Sequence, residues 1–221
     1  MRNSRSSAIG ALTLLLVLMS GSWTSAHRRD EYLQAARLGI DPDRVELALD
    51  LTAGIAVAEV VLSEIDLDKD GVVSVAEARA YSDRVLSAIA LDVDGIPLRV
   101  ELVESTFPTF DTVRKGEGTT RIQATASLPR LDDGLHHLRY RNAYRSDIGV
   151  YLANALVPAS DRVIVAAQRR DVNQRDLVID YMLSGQRTPT ARRGLSVGVA
   201  GAIILIANVW WRTRTRRRED L

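Results

Sequence analysis

Apolar and polar residues alternate along most of the chain between residues 32 and 183. The alternation is clearest across residues 44–52, where every second residue is valine or leucine. A period of two predicts a strand with one buried face. Similar patterns predict strands in residues 32–40, 91–93, 98–102, 122–128, 135–141, 163–167 and 177–181, and residues 148–156 are apolar without a clear period. Many short strands with turn signals between them indicate an antiparallel β-sandwich-like domain.

A different period interrupts the strands between about residues 53 and 90. Apolar residues recur there every three or four positions, first in residues 55–65 and again in residues 75–89. This spacing is typical of amphipathic helices. We therefore predict an α+β domain in which a helix-loop-helix unit is inserted between strands.

The segment between these two helical patterns reads DLDKDGVVSVAE, from Asp66 to Glu77. It matches the twelve-residue calcium loop of an EF-hand, in which alternate residues turn oxygen atoms towards one hard cation. Gly71 stands where the loop needs a left-handed backbone. The predicted Ca²⁺ ligands are the carboxylates of Asp66, Asp68 and Asp70, the carbonyl of Val72, Ser74 through a water molecule, and both carboxylate oxygens of Glu77.

A second loop of this kind could be aligned with residues 90–101. That alignment begins at Ala90, which offers no carboxylate, and it places Pro97 where the loop needs a backbone N–H. Asp94 and Gly95 instead have the composition of a two-residue hairpin turn. We therefore predict one hand, unpaired within the chain.

The two ends of the chain indicate export and a membrane anchor. Residues 1–26 combine two arginines, an apolar run and small residues before His27, as in a signal peptide. Residues 184–194 form a polar linker, residues 195–211 an apolar span, and residues 212–221 a basic tail. The arginines predict a cytoplasmic tail and an extracytoplasmic domain in residues 27–183. A sorting signal removed by a transpeptidase, or a helix that pairs with another membrane helix, are alternatives for the span.

Composition narrows the class of function. The chain has no cysteine, so disulfides and thiol chemistry are excluded. The chain has 29 basic and 28 acidic side chains. Residues 27–191 hold 20 of the basic and 26 of the acidic ones, which gives this part a net charge of −6. This balance argues against nucleic-acid binding. The motifs of serine hydrolases and zinc proteases are also absent from the sequence, so we expect a binding module rather than an enzyme.

Histidine suggests an alternative metal site. If cleavage leaves His27 as the first residue, its amine and imidazole could chelate a soft divalent ion. His136 and His137 are adjacent in a predicted strand and point to opposite faces, so at most one could join His27.

Four segments carry a resemblance to a known group of proteins. They are HRRDEYLQ at 27–34, DRVELALDLT at 43–52, VDGIPL at 93–98 and YLANALVP at 151–158. With the calcium loop, they resemble bacterial exported domains that precede membrane proteins of the nickel-permease type, such as hydrogenase and urease accessory proteins. The resemblance covers most of residues 27–183 and implies a role beside transition-metal transport. This chain has one predicted span, so a partner membrane protein would supply any channel.

Overall fold

The computed structural model describes residues 30–185. The predicted signal peptide, His27, the apolar span and the basic tail lie outside these residues. The described chain forms strands β1 (Tyr32–Ile40), β2 (Arg44–Ala53), β3 (Ile89–Val93), β4 (Ile96–Pro97), β5 (Glu101–Thr106), β6 (Thr119–Ser127), β7 (Gly134–Asn142), β8 (Gly149–Ala155), β9 (Val163–Arg170) and β10 (Asp176–Leu183). Its helices are α1 (Ala58–Ile65), α2 (Val75–Ser87) and α3 (Phe110–Arg114), with a 3₁₀ turn at Ile55–Val57.

The strands form two five-stranded sheets, so the fold is mixed α+β with largely antiparallel sheets. The first sheet has the order β5-β6-β2-β1-β8 and the second has the order β4-β3-β7-β10-β9. One pairing departs from the antiparallel expectation, because β8 runs parallel to β1, with Tyr32 opposite Gly149. β8 is preceded by β7 of the second sheet, so it joins the first sheet by a crossover and not by a hairpin.

The hairpin predicted at Asp94 and Gly95 is confirmed. Both residues have positive φ, 52° and 81°, as a type I′ turn requires. The returning strand β4 is only two residues long. The prediction of one strand across residues 98–102 was wrong in its bounds, because the next strand, β5, begins at Glu101 and belongs to the other sheet.

The two sheets and the helices share one hydrophobic core. Leu49 of β2 and Ile179 of β10 are both buried, one from each sheet. Val61 of α1 and Val85 of α2 belong to the same cluster of buried side chains. The helix-loop-helix unit is therefore packed into the domain. It also carries the chain from β2 in the first sheet to β3 in the second.

No helix in residues 30–185 is long and apolar enough to cross a membrane. The predicted span at 195–211 lies outside these residues.

Candidate metal centre

The two helices hold the acidic loop at both ends. Asp66 directly follows α1, and its N–H donates to the carbonyl of Leu62 at 2.9 Å. Ser74 directly precedes α2. Between them the backbone enters the left-handed region twice, at Lys69 with φ 64° and at Gly71 with φ 83°. The conformation expected for Gly71 is thus present, and the tight coil turns alternate side chains inward.

Asp66, Asp68 and Asp70 converge and are called the three-aspartate cluster below. One carboxylate oxygen of each lies within 4.8 Å of the others. Asp66 is buried, whereas Asp68 and Asp70 are exposed. The Asp66 carboxylate accepts hydrogen bonds from the N–H groups of Asp70 at 3.2 Å and Gly71 at 3.0 Å. Backbone hydrogen bonds therefore fix the loop in a shape that gathers three carboxylates, an arrangement that could hold a metal ion.

Mutual repulsion is visible at Asp68. A hydrogen bond from the Asp70 N–H lowers its pKa, but desolvation and the negative charges of Asp70 and Glu77 outweigh it, so that the pKa is raised. Carboxylates that repel one another are the usual partners of a hard divalent cation, which neutralises them. The donor set of the cluster is all oxygen and favours such an ion over soft metals.

Glu77 lies outside the three-aspartate cluster and connects the two ends of the loop. Its Oε1 accepts from the Leu67 N–H at 2.7 Å, and its Oε2 accepts from the Ser74 N–H at 3.0 Å and the Ser74 hydroxyl at 2.7 Å. These bonds, first those from Ser74, lower the pKa of Glu77 to about 2. Glu77 is therefore held as a carboxylate beside the cluster.

Ser74 and Glu77 also form a capping box at the start of α2. The Ser74 hydroxyl accepts from the Glu77 N–H at 3.2 Å while Glu77 bonds back to Ser74. The S-x-x-E spacing that signals this motif is present in the sequence, within the predicted calcium loop. The Val72 N–H donates to the Asp70 carboxylate at 2.8 Å, which adds a further backbone hydrogen bond within the loop.

A partly buried polar network joins the two helices to β1 and to the segment between β7 and β8. The Tyr144 hydroxyl donates to Glu64 of α1 at 2.8 Å, and Arg145 forms an ion pair with the same carboxylate. The hydroxyls of Tyr32 on β1 and Tyr81 on α2 are hydrogen-bonded to each other. Sequence patterns did not single out this network, since its members are distant in the chain.

Neither histidine of residues 30–185 belongs to a group of three or more side chains that could hold a metal ion. Both ring nitrogens of His136 are occupied, Nδ1 by the Asp94 carboxylate and Nε2 by the Asp132 carbonyl, each at 2.7 Å. His137 bonds through Nδ1 to Asp180 at 2.7 Å. His27 lies outside the described residues. Among residues 30–185, the three-aspartate cluster is the group that could hold a metal ion.

The environment of His136 predicts a loss of stability as the pH rises above 6.5. Both partners of its ring are acceptors, so the ring satisfies them together only as a protonated imidazolium. Burial lowers its pKa, but the hydrogen bonds to Asp94 and Asp132 outweigh burial and raise the pKa above 6.5. The stabilisation is thus complete below pH 6.5 and is lost as pH rises through the raised value.

We expect the urea midpoint of the wild-type chain to fall as the pH rises above 6.5 and that of His136→Gln to change less. His137→Gln is the matched control, because the neighbouring ring is half exposed. Equal slopes for His136→Gln and the wild type would contradict the assignment of a charged, buried His136.

Comparison of the chain with protein-family models, with curated proteins and with solved structures found no match.

Proposed function

We propose that this chain is a calcium-binding module whose loop, Asp66 to Glu77, is an EF-hand inserted in a β-sandwich-like domain. The observation that carries the proposal is the three-aspartate cluster, whose carboxylate oxygens lie within 4.8 Å of one another between two helices. The ligands would be the cluster, Glu77 and the Val72 carbonyl, with Ser74 acting through water. Calcium prefers such oxygen donors and tolerates their irregular geometry.

The proposed role of the ion is structural or regulatory and not catalytic. Glu64 and Tyr81, on the two helices, bond to residues outside the helix-loop-helix unit. An ion that neutralises the carboxylates of the cluster would stabilise the loop between these two helices. Because the helices are bonded to the rest of the domain, that stabilisation would extend to the whole fold. A calcium ion that reduces repulsion at Asp68 would favour the folded domain over the unfolded chain, which offers no assembled site.

The proposed location is the outer side of a cell membrane. The support comes from the sequence, namely the signal-peptide pattern of residues 1–26, the apolar segment 195–211 and the arginines that follow it. The domain would then meet calcium at extracytoplasmic concentrations, which suit weaker EF-hands. A membrane protein is a proposed partner, on the resemblance to domains that precede nickel-permease-type proteins.

The test is denaturant unfolding of the full chain in detergent, with a chelator and with added Ca²⁺, Mg²⁺, Ni²⁺ or Cu²⁺. At free Ca²⁺ of about 100 times Kd, we expect the free energy of unfolding to rise by about 2.7 kcal/mol. Asp68→Asn should abolish most of this rise without harming the metal-free fold, because an amide oxygen still accepts from the Asp70 N–H, as Asp68 does at 3.2 Å.

Asp43→Asn is the matched control, an exposed acid outside the loop. Its calcium response should equal that of the wild type. If added Ca²⁺ leaves the free energy of unfolding unchanged, the proposal is ruled out. If only Ni²⁺ or Cu²⁺ raises it, the metal site is at His27 and not in the loop.

A further inference from the structure

The outer face of the second sheet carries an exposed apolar row. Met182 of β10 lies opposite Leu135 of β7 on one side and opposite Ile164 of β9 on the other. Their side chains are 40%, 53% and 59% exposed. Three large apolar side chains that are adjacent across three strands form a continuous surface, unlike the single exposed apolar residues that are common on proteins.

The loop between β8 and β9 extends this row. Leu156 and Val157 are 45% and 93% exposed, and they line one surface cleft together with Ile164. These five residues, Leu135, Leu156, Val157, Ile164 and Met182, are called the apolar end below.

The chain leaves the domain beside the apolar end. The Ser184 N–H donates to the Arg162 carbonyl, and Arg162 Nε donates to the Ser184 carbonyl, each at 2.9 Å. Gly185 lies so close to Asp133 that a β-carbon on it would be 2.6 Å from Asp133 Oδ2. The exit is therefore fixed between the starts of β7 and β9, at the edge of the apolar row.

The sequence beyond the exit limits what can lie near this surface. Residues 184–194 are polar, and the apolar segment starts at residue 195. The nine residues 186–194, which follow the fixed exit, reach at most about 32 Å when fully extended. If residues 195–211 cross a bilayer, the membrane surface is held within that distance of the exit.

We propose that the apolar end rests on the lipid bilayer, in the interfacial layer, and orients the calcium-binding domain on the membrane. The inference rests on the membrane anchor of the proposed function. A tether keeps the local concentration of the surface high, so a weak contact is enough to populate the docked state. Five side chains are few for a stable protein interface, which takes about 20–30 residues a side.

Three acidic residues precede the strands of the apolar end, two before β7 and one before β9, and they bear on the kind of contact. These residues, Asp132, Asp133 and Asp161, are exposed. Anionic lipid would repel these carboxylates, so the contact is apolar insertion and not electrostatic attraction. Docking should therefore occur on neutral phosphatidylcholine and should not need phosphatidylglycerol.

The absence of cysteine permits a direct test. Full chains with Ile164→Cys or Val103→Cys are reconstituted in phosphatidylcholine vesicles, and the new thiol is labelled with an environment-sensitive fluorophore. Val103 is the matched control, an apolar residue of β5 in the other sheet that is 65% exposed. We expect brominated lipids to quench the label at position 164 at least twofold more than the label at position 103.

Equal quenching at the two positions would overturn the proposal. A change in the emission of the label at position 164 that depends on protein concentration and not on brominated lipid would also overturn it. That result would assign the apolar end to contact with a second copy of the chain. Chains that fail to float with vesicles would refute the anchor and the docking together. Calcium-dependent unfolding of the same samples reports on the metal site separately, so failure of docking and failure of calcium binding can be told apart.

Discussion

Replacement of Tyr81 by alanine is expected to lower the free energy of unfolding by about 3–5 kcal/mol, as for other fully buried aromatic side chains. Tyr81 is completely buried on α2. Its ring meets Phe107 and Tyr144 edge-on, with centroids 5.8 Å and 6.1 Å away. The substitution leaves a cavity where α2 meets the rest of the core. Urea unfolding of the full chain without calcium measures this loss.

Tyr81→Phe isolates the hydroxyl from the ring. The Tyr32 hydroxyl, which is also buried, would lose its hydrogen-bond partner, and leaving a buried polar group unpaired costs about 1–3 kcal/mol. Tyr181→Phe is the matched control, because the buried hydroxyl of Tyr181 has no hydrogen-bond partner. This control should be neutral or stabilising. If both phenylalanine variants behave alike, the Tyr32–Tyr81 bond contributes nothing to stability.

The strands were largely predictable because a strand between core and solvent must alternate. Val45 and Leu51 of β2 are buried as the pattern required, and the Asp94–Gly95 turn follows from the ease with which these residues adopt positive φ. Pairing between distant strands has no such local signal. The parallel neighbour of β1 and the change of sheet after β4 depend on contacts that hydrophobic spacing does not encode.

The metal centre likewise has a part that local sequence predicts and a part that it does not. The positions of Asp66, Asp68 and Asp70 could be identified from the sequence because one short loop must supply them all. The hydrogen bond between Tyr144 and Glu64 joins residues 80 positions apart, and the sequence around either residue does not predict it. The capping box has a sequence signal of its own, but Ser74 and Glu77 also fill two positions of the calcium motif. In the structure both residues have a role that needs no metal.

Because Glu77 is both a proposed calcium ligand and a hydrogen-bond acceptor within the loop, its replacement has the second large expected effect. Glu77→Gln is expected to lose the calcium response, as Asp68→Asn does, and also to unfold at a lower temperature in metal-free buffer. An amide cannot accept at both ends, as the carboxylate does from Leu67 and Ser74. Asp68→Asn should keep the metal-free midpoint within about 2 °C of the wild type, since surface substitutions change stability by under about 0.5 kcal/mol.

Acid unfolding separates the two roles of Glu77, namely its hydrogen bonds within the loop and its proposed binding of calcium. The pKa of Glu77 is lowered from 4.5 to about 2 in the folded chain, so its stabilisation is complete above pH 4.5 and is lost as pH falls towards 2. The wild type should therefore lose more stability over this range than Glu77→Gln, in metal-free buffer, by the urea midpoint at each pH. Parallel acid profiles, with equal metal-free melting temperatures, would mean that Glu77 does not hold the loop together without calcium. A steeper wild-type profile would mean that the loop is preorganised before the ion arrives, and that calcium binds to carboxylates already held in place by the backbone.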